Sequence, residues 1–442
     1  MRILILTAFF PPQNSIASLR PYSWAKVWTL LGHKVTVVTP AKPISKTDLK
    51  FENPGYQVIE TPLPFWLEKL KGSYQERAVQ EEAQKNIFSP IIFLKNKSVA
   101  LFNHLRHKKG VFNSSRMPDF LDFWKKRAWN SIPKEDPWDL VISTSGPYTV
   151  HLLASKLKKK ELAKTWIADY RDNWSNSFVY PGIFPFNVIE PHLEKKIMKR
   201  ADFLTTVSSP FARELEILHR RSKVFVIENG FDPSDLETLD KKKIFPGDGK
   251  FRIVYTGTIY SGKRGQDPSP LFAAIEKIAS SPSLRPLLNK LEVLFPGPYQ
   301  GNLKSLIDQY NVGDWVKMPG FLSRPEALRM QRDADYLLFL PWNDPNTDGV
   351  LTGKIFEYLF SKTPILSIGC EKIESSQQLI LDAKAGICLK TVPSISNFLI
   401  EALTKGRDKP LIENDPFLEK YKRNFLAKKL IDLIELREKR ND

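Results

Sequence analysis

Short apolar runs rich in β-branched residues alternate with stretches of helical spacing along almost the whole chain, and this alternation points to one fold class, α/β with parallel sheets. A parallel pair cannot be joined by a hairpin, so each run must be followed by a crossover, usually a helix. The first such unit is Ile3-Leu-Ile-Leu6, a helix around Ser18 to Leu31 ended by Gly32-His33, and then Lys34-Val-Thr-Val-Val-Thr39. Further strands are expected at Asp139–Ser143, Thr165–Ala168, Phe203–Val207 and Val224–Ile227. A second series follows at Arg252–Tyr255, Glu292–Phe295, Trp315–Met318, Tyr336–Leu340 and Ile365–Ile368. Between about residues 60 and 135 the periodicity weakens, and helices and loops added to the first domain are expected there.

The chain has 442 residues, too many for one ordinary domain, and its 42% apolar content is ample for two cores. The segment Asp232 to Lys250 is polar and rich in breakers, which suits a linker. The expected division is a first domain over 1–235, a linker over 236–250, a second domain over 251–415 and a long amphipathic helix within 416–442. The two cysteines, Cys370 and Cys388, lack metal-ligand spacing and read as reduced core residues of a cytosolic protein. The apolar start is short and stops at Pro11-Pro12, so it reads as a first strand and not as a signal peptide. No run approaches the length of a membrane span.

The segment between the last two of these strands, Asp348-Gly-Val-Leu-Thr-Gly-Lys-Ile-Phe-Glu357, carries the most chemistry. Gly349 and Gly353 let the backbone approach a ligand and leave first-turn amides facing it, where the helix dipole favours an anion. Lys354 adds a cation, and Glu357 three residues later shares its helix face as an acceptor for hydroxyls. Amides and a cation for phosphates beside a carboxylate for hydroxyls suit a nucleotide with a ribose, such as a nucleotide sugar. A glycine-rich connection kept for packing, with a solvated Lys-Glu pair, is the alternative.

A net charge of +17 favours polyanionic partners. Much of it interleaves with bulky residues in Phe65–Lys71, Asn103–Lys109 and Phe123–Trp129, which suits an anionic membrane surface. A solvated helix face is the competing account, and no nucleic-acid motif accompanies the charge.

The ordered series of motifs resembles the GT-B glycosyltransferases, and among them the retaining family 4 group that builds bacterial polysaccharides and glycolipids. Phe10-Pro-Pro12, Leu31-Gly-His-Lys-Val-Thr-Val-Val38, Trp166–Trp174, Thr206-Val-Ser-Ser209 and Val226–Asp232 resemble its first half. Tyr255-Thr-Gly-Thr258, Met318-Pro-Gly-Phe321 and Gly353–Leu359 resemble its nucleotide-binding half. The resemblance implies two Rossmann-like domains facing across a cleft, with the C-terminal helix crossing back to the first domain. It further implies a donor site drawn from Gly257, Thr258, Lys263, Arg264, Gly320, Phe321, Asp348, Gly349, Val350, Leu351, Thr352, Gly353, Lys354 and Glu357.

Glu357 matches the second glutamate of the family's paired-glutamate motif, while Gly349 stands where the first belongs, with Asp348 as its candidate substitute. Thr258 stands at the place of a phosphate-binding arginine, and Lys263 or Arg264 serves as the accompanying lysine. Ser145 takes the place of a histidine that faces the reacting centre, with His151 as a possible replacement, so the catalytic set is His151, Ser145, Asp172 and Lys263. Asp169, Arg171 and Asp172, past a strand end, either bind acceptor hydroxyls or phosphate or form an interdomain ion-pair network.

The expected activity is retaining transfer from a nucleotide diphosphate sugar to a lipid-linked or polysaccharide hydroxyl, with no metal and no bound cofactor, at the cytoplasmic face of a membrane. An epimerase of the same fold and a silent subunit that scaffolds a polysaccharide complex are the alternatives.

Overall fold

The computed structural model describes residues 1–13, 15–42, 52–64, 101–102, 104–177, 180–260, 265–297, 302–343, 348–369, 373–405 and 416–441. Phe65–Lys71, Lys263, Arg264 and Cys370 lie outside this set. The described residues form two compact units, one of residues 1–227 with 427–442 and the other of 228–426.

The first unit holds strands β1 (Arg2–Thr7), β2 (Lys34–Pro40), β3 (Gln57–Thr61), β4 (Trp138–Thr144), β5 (Ala163–Tyr170), β6 (Phe203–Thr206) and β7 (Phe225–Val226). They form one sheet in the order β3-β2-β1-β4-β5-β6-β7, with every pairing parallel. β1 lies in the middle, with Ile3 beside Val35 on one side and Leu140 on the other. Its side chains from Ile3 onward are buried, which is why it reads as a continuous apolar run and not an alternating one. The crossover helices are α1 (Ile16–Leu30), α2 (Lys125–Ser131), α3 (Thr149–Lys159), α4 (Phe186–Met198) and α5 (Ser209–His219). Ser15 caps α1 by accepting from the Ala17 amide, and Gly32, at φ +86°, turns the chain into β2.

The second unit repeats the plan with β8 (Phe251–Val254), β9 (Leu291–Leu294), β10 (Val316–Lys317), β11 (Tyr336–Phe339), β12 (Ile365–Ile368) and β13 (Gly386–Leu389). Their order is β10-β9-β8-β11-β12-β13, again parallel throughout. Its helices are α6 (Ser234–Glu237), α7 (Ser269–Ala279), α8 (Leu303–Gln309), α9 (Arg324–Asp333), α10 (Gly353–Phe360), α11 (Ser375–Asp382), α12 (Val392–Lys405) and α13 (Pro416–Glu419). In each sheet the winding reverses once, between β1 and β4 and between β8 and β11. The carboxyl ends of strands at such a reversal are where open α/β sheets form their ligand-binding crevice.

Two expectations of organisation are altered. The segment Asp232–Lys250 belongs to the second unit, where the Ile244 amide donates to Asp333 and the Arg252 guanidinium lies over the Phe245 ring. The C-terminal helix is broken: α13 ends at Glu419, and a long helix, α14 (Arg423–Asn441), follows. The break arises because Phe231 N–H donates to the Tyr421 carbonyl and Arg423 N–H to the Phe231 carbonyl, at 3.0 and 2.8 Å. Those bonds hold Tyr421 and Lys422 out of helical geometry. From Ala427 onward α14 is part of the first unit, burying Leu430, Ile431 and Ile434.

Candidate functional site

In the second unit the crevice is built around Gly257, which follows β8 at φ +106°. A Cβ there would stand at ordinary contact distance from Lys354, 3.4 Å from Cε and 3.5 Å from Nζ, so it is the positive φ that calls for glycine. Lys354 enters from the first turn of α10 and places Nζ 3.6 Å from the centre of the Tyr255 ring. Burial pulls its pKa down to about 7, with Glu357 acting in the opposite sense. Tyr255 is itself pinned, its hydroxyl within 3.0 Å of both the Thr258 carbonyl and Gln266 Oε1. Tyr358 of α10 accepts from the Thr256 amide at 2.9 Å, which locks the helix to the loop after β8. Thr352, the residue before α10, has extended backbone and makes no side-chain cap; its carbonyl accepts from the Ile355 amide at 3.3 Å, while its side chain takes none of the first-turn amides.

Glu357 lies one turn into the helix, half-buried, and its Oε1 accepts from Arg324 Nη1 at 2.7 Å. The other arm of Arg324 reaches Asp235 Oδ2, also at 2.7 Å. Arg324 is thus a half-buried fork fixing the carboxylate, and its two acidic partners, acting against desolvation, favour its charged form. Nothing in the local sequence announces it, because it contacts Glu357 across 33 positions. Its only signal is Ser323-Arg-Pro-Glu326, a capping box that starts α9. Gln266 was equally hidden; it bridges the two crevice loops by donating to the Leu340 carbonyl at 2.9 Å.

The remaining donor candidates have these surroundings. Gly349, at φ +100°, makes a tight turn in which Leu351 N–H returns to its carbonyl, and the Leu351 carbonyl accepts from Asn229. Val350 and Leu351 are half-buried and Thr352 exposed, while Gly353 is buried at the helix start. Gly320 accepts from the Gly297 amide, and Phe321 beside it is 66% exposed. Asp348, the candidate substitute for the missing glutamate, is otherwise engaged. Its Oδ1 accepts from the Ser375 amide and hydroxyl at 2.9 and 2.6 Å, which tethers it to the start of α11.

The first unit's crevice is held together by Asp169 at the end of β5. This carboxylate has no exposed surface and accepts four bonds, from Arg20 Nε and Nη2 at 3.1 and 2.7 Å and from the Thr144 and Thr205 hydroxyls at 2.7 Å. It therefore ties α1 to β4, β5 and β6, and Arg20 with the two hydroxyls hold its pKa below the usual carboxylate range against the cost of burial. The ion pair of Asp169 with Arg20 lies within the first unit and is not the interdomain network expected as one account. Arg171 donates to the carbonyls of Ser145 at 2.7 Å, Gly146 at 2.9 Å and Ala17 at 3.3 Å, so it staples the crevice loops together. Asp172 next to it is exposed. The Ser145 hydroxyl is buried and has no partner among the described residues.

His151 does not face the crevice. It is fully buried in the first turns of α3, with Nδ1 2.8 Å from the Ser143 hydroxyl and its ring packed on Tyr170. Burial lowers its pKa to about 4, so at neutral pH it is an uncharged core residue. The basic and aromatic segment Phe123–Trp129 also differs from expectation. Trp124 is buried and donates to Thr61, and Trp129 packs under Lys156 and Lys134, so of its rings only Phe123 is exposed. Aromatic side chains buy more by filling the core than by waiting at a surface.

No protein-family profile matches this chain, and no curated protein matches it by sequence. Solved structures do. Sucrose-phosphate synthase from Thermosynechococcus elongatus superposes with a TM-score of 0.61 at 12% identity over 99% of this chain and 98% of its own. The pneumococcal O-GlcNAc transferase GtfA, solved with UDP and GlcNAc, gives 0.55 at 11% identity over 98% of each chain. The lipopolysaccharide outer core galactosyltransferase WaaB gives 0.53 at 12% identity over 99% of this chain and all of its own. Two Rossmann-like units, each with one parallel sheet and a single reversal of winding, together with this likeness, assign the chain the GT-B fold of glycosyltransferases.

Proposed function

We propose that the protein is a glycosyltransferase that moves a sugar from a nucleoside diphosphate sugar to an acceptor hydroxyl, with retention of configuration. One observation carries the donor assignment: Lys354 Nζ stands beside Gly257 at the start of α10, and Glu357 is held one turn away by Arg324. Lys354 and the first-turn amides of α10 would neutralise the charge that gathers on the leaving diphosphate, the part a metal ion plays elsewhere. Glu357 would take the ribose hydroxyls through the carboxylate oxygen that Arg324 leaves open. Lys263 and Arg264, outside the described residues, would add further charge. Solved structures of the same fold include trehalose-6-phosphate from E. coli bound with UDP-2-fluoro glucose, which fits a nucleotide sugar as co-substrate.

In the first unit we assign Arg171, Asp172 and Ser145 to the acceptor side, with Asp169 as their support. The acceptor is proposed to be a lipid-linked or polysaccharide hydroxyl, in keeping with the excess of positive charge. A catalytically silent subunit is a second reading, favoured by Gly349 in place of a carboxylate and by the tether on Asp348. Calorimetric titration with nucleoside diphosphates and their sugar conjugates tests the donor site. One base is expected to bind in preference, with binding lost in Glu357→Ala and Lys354→Met; absence of binding to every nucleotide would overturn the proposal. Hydrolysis or transfer by the nucleotide-binding protein then separates an enzyme from a silent subunit.

A further inference from the structure

Helix α4 turns an unusual face outward. Its two acidic residues point inward and are neutralised there. Glu190 accepts from Arg116 Nε at 2.8 Å, the Met117 amide at 2.7 Å and Trp174 Nε1 at 3.1 Å, and Glu194 from the Tyr170 hydroxyl at 2.8 Å and the Ser175 amide at 3.0 Å. The outward face has no acidic residue. It begins with Phe184, Val188 and Ile189, which are 82, 55 and 46% exposed, and continues through His192 to Lys195, Lys196 and Lys199, all exposed. The spacing of 188, 192, 195 and 199 stacks these residues in one stripe. None of the three lysines forms an ion pair among the described residues.

The patch does not end with the helix. The Gly182 amide donates to the Lys109 carbonyl at 3.0 Å, which brings the basic stretch Arg106, Lys108 and Lys109 alongside the backbone two residues before Phe184. Apolar side chains at one end of a stripe, beside cations on two segments that form no ion pair among the described residues, match the layered chemistry of an anionic lipid surface. The apolar tips enter the acyl boundary and the ammonium groups meet the phosphates. A purely apolar partner would leave the lysines unmatched, and a purely polyanionic one would leave Phe184 unmatched.

We infer that α4, with Phe184, Val188 and Ile189 as the inserted tips and Lys195, Lys196 and Lys199 as the headgroup contacts, docks the protein on an anionic membrane. The inference does not use the donor site, so the two stand or fall separately. The test is co-sedimentation of the full chain, without nucleotide, with vesicles of phosphatidylcholine alone and of phosphatidylcholine mixed with phosphatidylglycerol. Binding is expected on the mixed vesicles and to weaken with salt. Lys195→Gln, Lys196→Gln and Lys199→Gln together should lower the partition coefficient on the order of a hundredfold, at roughly fivefold per charge. Phe184→Ser with Ile189→Ser should lower it about tenfold or more, and because both side chains are exposed the melting temperature should not move. Equal binding to both vesicle types, or wild-type binding by both variants, would overturn the inference. So would a dimer in sedimentation velocity that Phe184→Ser dissolves, since the face would then belong to a second copy.

Discussion

Arg20→Met tests whether Asp169 is a structural keystone. The substitution keeps the length and much of the volume of the side chain but removes two donors, at 3.1 and 2.7 Å, from a carboxylate with no exposed surface. Removing one partner of a buried pair costs about 3 to 5 kcal/mol, because the other charge stays buried and unpaired. The Thr144 and Thr205 hydroxyls remain on Asp169, so the lower end applies, about 3 kcal/mol. For a unit of this size, that corresponds to a fall in Tm of roughly 6 to 12 °C. Tryptophan fluorescence is the natural assay, since eight of the ten tryptophans precede residue 228 and report on the first unit. The pH dependence supplies an internal control. Asp169 has a folded pKa below its unfolded value, so its contribution is present above the unfolded pKa and is lost as pH falls through the folded one. The difference between wild type and Arg20→Met should therefore shrink in acid. A loss under 1 kcal/mol at neutral pH, with acceptor turnover abolished, would refute the keystone and return Asp169 to the acceptor site.

Lys354 predicts a pH dependence in donor binding. Its pKa of about 7 means the free site loses its cation as pH rises above neutrality, so affinity for a nucleoside diphosphate sugar should fall by up to tenfold per pH unit above 7 until the pKa of the bound form is reached. Lys354→Arg should flatten the profile, and a wild-type profile flat from pH 6 to 9 would contradict the assignment. Arg324→Lys keeps the charge without the fork that spans Glu357 and Asp235; donor Kd should rise about tenfold, the worth of one charged hydrogen bond, and an unchanged Kd would show that Glu357 needs no such support. Gly386→Ala would drive its Cβ to 1.9 Å from the Ile365 carbonyl oxygen in the neighbouring strand. Hydrogen exchange of the β12 and β13 amides should quicken, reflecting a loss of roughly 3 kcal/mol, and unaltered protection would refute the clash.

The fold was legible because its parallel strands are buried on both faces and so appear as apolar runs of local sequence. Lys354 and Glu357 were legible for a related reason, lying three residues apart on one short helix. Arg324 and Arg20 were not, since their partners lie 33 and 149 positions away and no local pattern encodes a contact at that range. His151 and Trp124 misled in the opposite direction. Polar atoms on large rings suggest chemistry, but here a hydroxyl is supplied for each inside the core, by Ser143 and Thr61, and the ring's bulk decides where it goes.

The return of α14 to the first unit has a consequence for the order of events during synthesis. Trp28 lies fully buried near the amino terminus, yet its indole N–H finds its acceptor on Ala427 at 2.9 Å, and the Val226 carbonyl is met by Lys429 at 3.0 Å. The first unit, whose strands leave the ribosome first, cannot close its surface until the residues from Ala427 onward emerge, whereas the second unit has all its described strands in hand by Leu389. A nascent chain halted before Ala427 would thus display an unfinished first unit, a natural target for chaperones, and a nick or stop codon between Ala427 and Asp442 would be felt at Trp28, 399 positions before its acceptor.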